Sequence, residues 1–234
     1  MTSVETVPES VRSRLALALD VDDAVAAARL ARQLRPWFGV AKVGLELFSA
    51  AGPRVVQSLI DDGYDVFLDL KMADIPTTVN RAARVLGALG VSYLTLHAFA
   101  GPAVLRAGAE GLAEGADKAG LPPPAALAVT ILTSDPDAPP HILAKRVAAA
   151  VEARCAGVVC AASDVREAKL LAPRLLVVVP GVRPAGTPTH DQVRSTTPEE
   201  AIAAGADILV VGRAVTAADD REAAAAALAA SIPV

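Results

Sequence analysis

Three charged residues interrupt an apolar stretch in Val66-Phe67-Leu68-Asp69-Leu70-Lys71-Met72-Ala73-Asp74-Ile75-Pro76-Thr77-Thr78. Val66, Phe67, Leu68 and Leu70 form an apolar run of strand length. Residues two apart on a strand project to one face, so Asp69 and Lys71 are expected side by side. Asp74-Ile75-Pro76 has the character of a helix start, because Asp accepts bonds from free amides and Pro fits the first turn. A carboxylate and an ammonium are thereby fixed at the carboxyl end of a strand, with a second carboxylate three residues on. That arrangement suits proton transfer and electrostatic stabilisation on a charged substrate. Taken singly, Asp69 and Lys71 could be an ion pair kept for packing specificity, and Asp74 a helix cap.

The flanking chain repeats one pattern. Short apolar strands are expected at Leu15–Leu19, Phe38–Val43, 65–71, Val91–Leu96, Ala125–Leu132, Gly157–Cys160, Leu175–Val179 and Ile208–Val211. Helical spacing follows each: Val21–Leu34, Glu46–Asp62, Asp74–Leu89, 101–118, 139–154, a short helix capped by Ser163 and ending near Leu171, one opened by Pro198, and an Ala-rich final helix. The strands are continuous in Val, Leu and Ile, as in sheets covered on both faces. Eight such units in 234 residues predict a single (β/α)₈ TIM barrel domain over 1–234, with residues 1–12 a loose N-terminal extension. An open doubly wound sheet has fewer units.

In that barrel Asp20, Lys42, Asp69, Lys71, His97 and Thr133 all fall at the carboxyl ends of strands one to five, where barrels place their active sites. Packing explains any one of them more easily than all six. His97 alone reads as a core histidine and Asp20 alone as a helix cap, whereas an apolar strand seldom buries an unpaired ammonium such as that of Lys42.

The last two strands carry a different chemistry. Pro180-Gly181-Val182-Arg183-Pro184-Ala185-Gly186 leaves strand seven, and Asp191-Gln192-Val193-Arg194 follows in the same long polar loop. Strand eight runs into Gly212-Arg213. Glycine admits an anion close to backbone amides, and arginine forks two bonds to phosphate oxygens. Strands seven and eight are a recurrent phosphate site of barrels.

Composition removes other classes. The net charge of −4 and the 3% aromatic content disfavour a nucleic-acid surface. No apolar run reaches the ~18–20 residues needed to span a bilayer. Residues 1–10 carry Glu5 and Glu9 without an apolar core, unlike a secretory signal. Cys155 and Cys160 lack metal-ligand spacing and read as buried thiols of a reducing compartment. The expectation is a cytoplasmic protein.

These motifs resemble the orotidine 5′-phosphate decarboxylase family over nearly the whole chain. The likeness lies in Leu17-Ala18-Leu19-Asp20, Lys42-Val43-Gly44, the run from Asp69 to Thr78, Leu96-His97-Ala98, Val129-Thr130-Ile131-Leu132-Thr133-Ser134, Pro180-Gly181-Val182-Arg183-Pro184, Asp191-Gln192 and Val211-Gly212-Arg213. The resemblance implies that Lys42, Asp69, Lys71 and Asp74 surround the reacting carbon of orotidine 5′-monophosphate. It implies that Asp20 and Lys42 hold ribose hydroxyls and that Thr133 contacts the pyrimidine. Arg183, Gln192, Gly212 and Arg213 would hold the loop and the 5′-phosphate. Asp74, Ile75 and Thr78 would reach the neighbouring site of a homodimer. Neither metal nor organic cofactor is implied. The segment Asp135-Pro136-Asp137-Ala138-Pro139-Pro140, acidic and proline-rich, departs from the family's loop over the base.

Two rivals are separable. Sister decarboxylases and aldolases of sugar phosphates share the Asp69/Lys71 spacing but need Mg²⁺, held partly by a Glu at the end of strand two, where Lys42 stands here. A non-catalytic barrel binding a phosphorylated ligand has no reason to group Asp69, Lys71 and Asp74.

Overall fold

The computed structural model describes residues 6–133, 138–139, 141–184 and 196–233. Its eight strands are β1 Leu15–Ala18, β2 Val40–Gly44, β3 Asp65–Met72, β4 Tyr93–His97, β5 Ala125–Val129, β6 Gly157–Val159, β7 Leu176–Pro180 and β8 Ile208–Val211. They pair in parallel in sequence order, and β8 returns to β1, closing a barrel. The closing register sets Leu15 against Leu209, Ala16 against Val210 and Leu17 against Val211. The (β/α)₈ expectation holds.

The helices are α1 Glu9–Arg12, α2 Ala24–Leu34, α3 Leu45–Ala51, α4 Pro53–Asp61, α5 Pro76–Gly87, α6 Pro102–Lys118, α7 His141–Glu152, α8 Val165–Leu171, α9 Pro198–Ala204, α10 Arg213–Thr216 and α11 Arg221–Ala230. Several termini are set by identifiable groups. Asp23 caps α2 by accepting the Ala26 amide at 2.6 Å. Thr197 and Glu200 form a reciprocal capping box on α9.

Alternation along the strands sorts side chains into two apolar layers. Ala16, Ala18, Val40, Phe67, Leu127, Val129, Val159, Val178, Ile208 and Val210 pack together inside the barrel. Their strand neighbours Leu15, Leu17, Ala41, Val66, Leu68, Val177 and Leu209 belong to the larger layer beneath the helices. Asp20, Lys42 and Asp69 share the parity of Ala18, Val40 and Phe67, so the period of two carries each onto the inner face of the mouth.

Some local expectations change. The helix expected over 46–62 is two helices, broken at Gly52-Pro53. Gly52 takes φ +63°, and Pro53 starts α4 because its ring cannot continue a helix past the preceding turn. Residues 9–12, expected within a loose extension, form α1 with Val11 buried. The Arg12 carbonyl accepts the Gly39 amide at 2.8 Å, tying this turn to the start of β2. β5 ends at Val129 rather than Leu132. There the Thr130 hydroxyl donates to the Val159 carbonyl at 2.9 Å, and the Arg146 guanidinium donates to the Thr130 carbonyl. Asp74 does not cap a helix in the expected way. Ile75 is the N-cap of α5, and Asp74 Oδ1 accepts only the Ile75 amide, at 2.6 Å. Ser163 lies in a 3₁₀ turn before α8 and donates to Asp164 instead of capping.

The start of α5, which follows the Asp74 turn directly, is placed by its packing on α6. A methyl added at Gly111 would lie 2.2 Å from the Asn80 carbonyl oxygen of α5, and one at Gly115 2.0 Å from that of Arg84, far inside van der Waals contact. The helices therefore touch backbone to backbone, and Asn80 Nδ2 donates to the Ala107 carbonyl at 2.9 Å across the seam. Alanine in a helix interior is ordinarily favoured over glycine by roughly 0.5–1 kcal/mol. At Gly115 the overlap outweighs that gain. Gly115→Ala is expected to lower stability by about 1–3 kcal/mol. Urea unfolding should show a lower midpoint with an unchanged m-value, and an unchanged or raised midpoint would contradict the close approach.

Candidate active site

A cavity of about 260 Å³ opens at the carboxyl ends of the strands. Its floor is Ala18, Phe67, Val129, Val159 and Val210 from the inner layer. Asp20, Lys42, Asp69 and Lys71 line one wall, and Arg183, Gly212 and Arg213 line another, with Thr133 also at the rim. Eight of the residues expected from the sequence thus meet in one pocket. Asp74, Ile75 and Thr78 do not line it and are exposed. Gln192 lies outside the described residues, as do most of 135–140.

The four charges of the first wall form a chain of alternating sign. Lys42 Nζ lies 2.9 Å from Asp20 Oδ1 and 3.9 Å from Asp69 Oδ2, and Lys71 Nζ lies 2.7 Å from the same Asp69 oxygen. Burial of Lys42 and partial burial of Asp69 are tolerable because two ammoniums and two carboxylates sum to zero. The second oxygen of Asp69 accepts the Thr95 hydroxyl at 2.9 Å. The Lys71 amide donates to that hydroxyl oxygen at 2.8 Å.

Simple strand alternation does not carry Lys71 into place. The β3–β4 register jumps from Leu68↔Leu94 to Met72↔Leu96, so Asp69, Leu70 and Lys71 lie opposite the single residue Thr95. Lys71 has φ +49°, one of two non-glycine residues with positive φ among those described. Such backbone is costly for a side-chain-bearing residue and gathers at functional sites. The bulge re-aims the Lys71 side chain so that it meets Asp69 in spite of the broken register.

Thr95 was not among the expected site residues. It is fully buried and does not line the pocket. Its signal was present in the sequence: a hydroxyl in an apolar strand, two residues before His97.

On the opposite wall, Arg183 is buried and its amide donates to the Thr196 carbonyl at 3.1 Å, while Val182 bridges Thr196. This contact closes the two ends of the loop after β7 against each other. Gly181 takes φ +79°, which lets the chain turn sharply as it leaves the strand. Gly212 precedes the one-turn α10, and its carbonyl accepts the Val215 and Thr216 amides at 2.9 and 3.0 Å. That turn sets Arg213 at the pocket rim.

His97 ends β4 but does not line the pocket. Its Nδ1 accepts the Phe99 amide at 3.4 Å, and its ring packs 4.4 Å from that of Phe99. This is the core-histidine reading. Burial, then the charges of Arg146 and Lys71, hold its pKa below the ordinary histidine value. Cys160 lines the pocket, and burial raises its thiol to about 12, so it is a neutral apolar wall at physiological pH. Cys155 is likewise pushed up to about 12 by burial.

Fold and site together define a barrel of the enzyme type, with a charged centre and a basic rim at the carboxyl ends of its strands. Residues 13–228 match the model of the orotidine 5′-phosphate decarboxylase / HUMPS family. The chain is 42% identical over 240 residues to the orotidine 5′-phosphate decarboxylase of Moorella thermoacetica, covering 97% of this chain and 95% of that one. It is 45% identical over 233 residues to that of Halorhodospira halophila, covering 94% and 95%. The crystal structure of the orotidine 5′-phosphate decarboxylase of Lactobacillus acidophilus superposes with a TM-score of 0.77 at 34% identity, covering 94% of this chain and 99% of that one. The chain belongs to the orotidine 5′-phosphate decarboxylase / HUMPS family.

The lowered pKa of His97 has a consequence for stability. The unfolded chain binds a proton near pH ~6.5, and the folded chain binds it only at lower pH. The contribution is therefore complete above about pH 6.5 and is lost as pH falls through the folded value. The His97 ring resonance should titrate with a midpoint below about 6.5. His97→Asn keeps an acceptor for the Phe99 amide and should flatten the acid side of the stability curve. A midpoint at or above the ordinary value would contradict the burial.

Proposed function

We propose that the protein converts orotidine 5′-monophosphate to uridine 5′-monophosphate and CO₂, the last step of de novo pyrimidine nucleotide synthesis, without metal or organic cofactor. The observation that carries this reading is the Asp20–Lys42–Asp69–Lys71 chain sharing one pocket with Arg213, in a chain whose relatives over almost full length bear that activity in their names.

The chemistry follows from charge placement. Breaking the bond between C6 and the carboxylate leaves the electron pair on C6, where no ordinary electron sink exists. An ammonium already held in place stabilises that pair more effectively than mobile water. Lys71 does so and then donates a proton from Nζ to C6, closing the product. Asp69 fixes Lys71 through the 2.7 Å ion pair and sits beside the departing carboxylate. Lys42, with Asp74 of the neighbouring subunit, completes the network. Asp20 and Lys42 hold ribose hydroxyls, and Thr133 contacts the pyrimidine. Arg183, Gln192, Gly212 and Arg213 take the loop and the 5′-phosphate. Phosphate binding is remote from C6, so its energy serves to organise the site rather than to react.

Lys42 is already engaged by Asp20 and Asp69 at the end of β2, and its charge opposes a divalent cation there. Turnover should therefore persist in chelator. The homodimer is supported by the run Ala73–Thr78, exposed throughout and away from its own pocket, with Ile75 66% exposed. No helix among the described residues is long and apolar enough to cross a membrane. With two buried free thiols, a reducing cytoplasm is the compartment we propose.

An absorbance assay following orotidine 5′-monophosphate tests the activity directly. Lys71→Ala should nearly abolish turnover while affinity for uridine 5′-monophosphate remains; wild-type-like turnover would refute its role. Asp74→Asn should also be inactive. Dissociated and reassociated as a mixture, these two variants should regain about a quarter of wild-type turnover, because half the dimers hold one intact site of two. No recovery in verified mixed dimers would remove Asp74 from the neighbouring site.

Arg213→Ala should mainly weaken nucleotide binding, by about 1.5–3 kcal/mol for a charged hydrogen-bond donor. An unchanged affinity for uridine 5′-monophosphate rules out the phosphate assignment.

A further inference from the structure

We propose that Thr95 is a positioning residue of the reaction: its hydroxyl locks the Asp69 carboxylate and the Lys71 backbone into one geometry. This rests on the reading of Asp69 and Lys71 given above. A threonine hydroxyl has one hydrogen to donate and lone pairs to accept. Here it uses both functions on the two residues that flank the bulge, donating to Asp69 Oδ1 at 2.9 Å and accepting the Lys71 amide at 2.8 Å. Asp69 and Lys71 meet again through Oδ2 and Nζ at 2.7 Å. The carboxylate, the hydroxyl and the lysine close a ring, and Thr95 is its one member outside β3.

The bulge explains why such a group is needed. With three residues of β3 facing Thr95, the Lys71 amide leaves the regular ladder and finds its acceptor in a side chain. The hydroxyl holds a backbone at φ +49° that would otherwise relax. Relaxation would swing the Lys71 side chain away from Asp69. Thr95 is fully buried and absent from the pocket wall, so it acts through these two residues and not on substrate.

The test compares Thr95→Val, Thr95→Ala and Thr95→Ser, with Lys71→Ala in parallel. Val keeps the shape and Ser keeps the hydroxyl. Thr95→Val should lower kcat by about 10- to 100-fold, the scale of a misplaced reacting group. KM and the affinity for uridine 5′-monophosphate should stay within about two-fold, because the binding groups are untouched. Thr95→Ser should return kcat to within a few-fold of wild type. A purely structural role would lower thermal stability and leave kcat per folded molecule unchanged. A Val variant with wild-type kcat, a loss confined to KM, or a Ser variant as slow as Val overturns the proposal. If neither hydroxyl-free variant folds, the hydroxyl serves folding and the positioning role is also overturned. Substantial turnover by Lys71→Ala would instead show that the catalytic reading beneath it had failed, whatever the Thr95 variants do.

Discussion

The Asp69 carboxylate, largely but not fully withdrawn from water at the end of β3, sets the terms for its surroundings. A desolvated carboxylate costs several kcal/mol, and attraction to one cation near 4 Å returns on the order of 4 kcal/mol at an effective dielectric of about 20. One partner leaves the balance near zero. Two ammoniums and a hydroxyl improve that balance and occupy both oxygens of the group. Each ammonium is then restrained in turn: Lys42 by Asp20, and Lys71 by the bulge that carries it. The cluster is a poor device for stability, since well-packed apolar residues would serve as well or better. In the proposed reaction its product is charge fixed in advance beside the carbanion.

In the proposed reaction the two walls of the pocket divide binding from chemistry. β2 and β3 supply charges held by strand backbone and side-chain bonds, with Lys42 buried and Asp69 and Lys71 partly so. β7 and β8 supply Arg183, Gly212 and Arg213 on turns that follow the strands. A reacting group must not drift, whereas a phosphate can be gathered by groups that move. Between them the floor is apolar, and the neutral thiol of Cys160 lines the pocket as well. It offers the substrate no competing polar contact that would weaken the orientation set from both sides.

Much of this was legible because a barrel has only two relevant periods. Repetition of strand and helix places Asp20, Lys42, Asp69 and Lys71 at the carboxyl ends of strands, where barrels hold their sites, and alternation sets Asp69 and Lys71 on one face. Those rules are blind to a register jump. Lys71 reaches the pocket through a bulge and a left-handed backbone, which the alternation reading did not include. Thr95 escaped for a related reason: a lone hydroxyl in an apolar strand gains meaning only when its partners across the sheet are known. The break at Gly52-Pro53 could have been read from the dipeptide, since proline after glycine marks the end of one helix and the start of another. The close contact of α5 and α6 could not, because helical glycines look like weak helix formers until their neighbours are seen.

The α5–α6 contact also bears on the dimer proposed above. The glycines of α6 let α5 settle against its backbone, and the Asp74 turn is attached to the start of that helix. Asp74 cannot then fold back over its own pocket without unseating the helix behind it. Ile75, two-thirds exposed beside it, loses apolar exposure only by meeting another surface. In the proposed dimer the same rigidity that withholds Asp74 from its own barrel would present it to a neighbour. In that arrangement association supplies a carboxylate to the site without any further loop ordering, so most of the entropy of placing it has been lost in folding. On that proposal, dimer formation and completion of the charged network are one event.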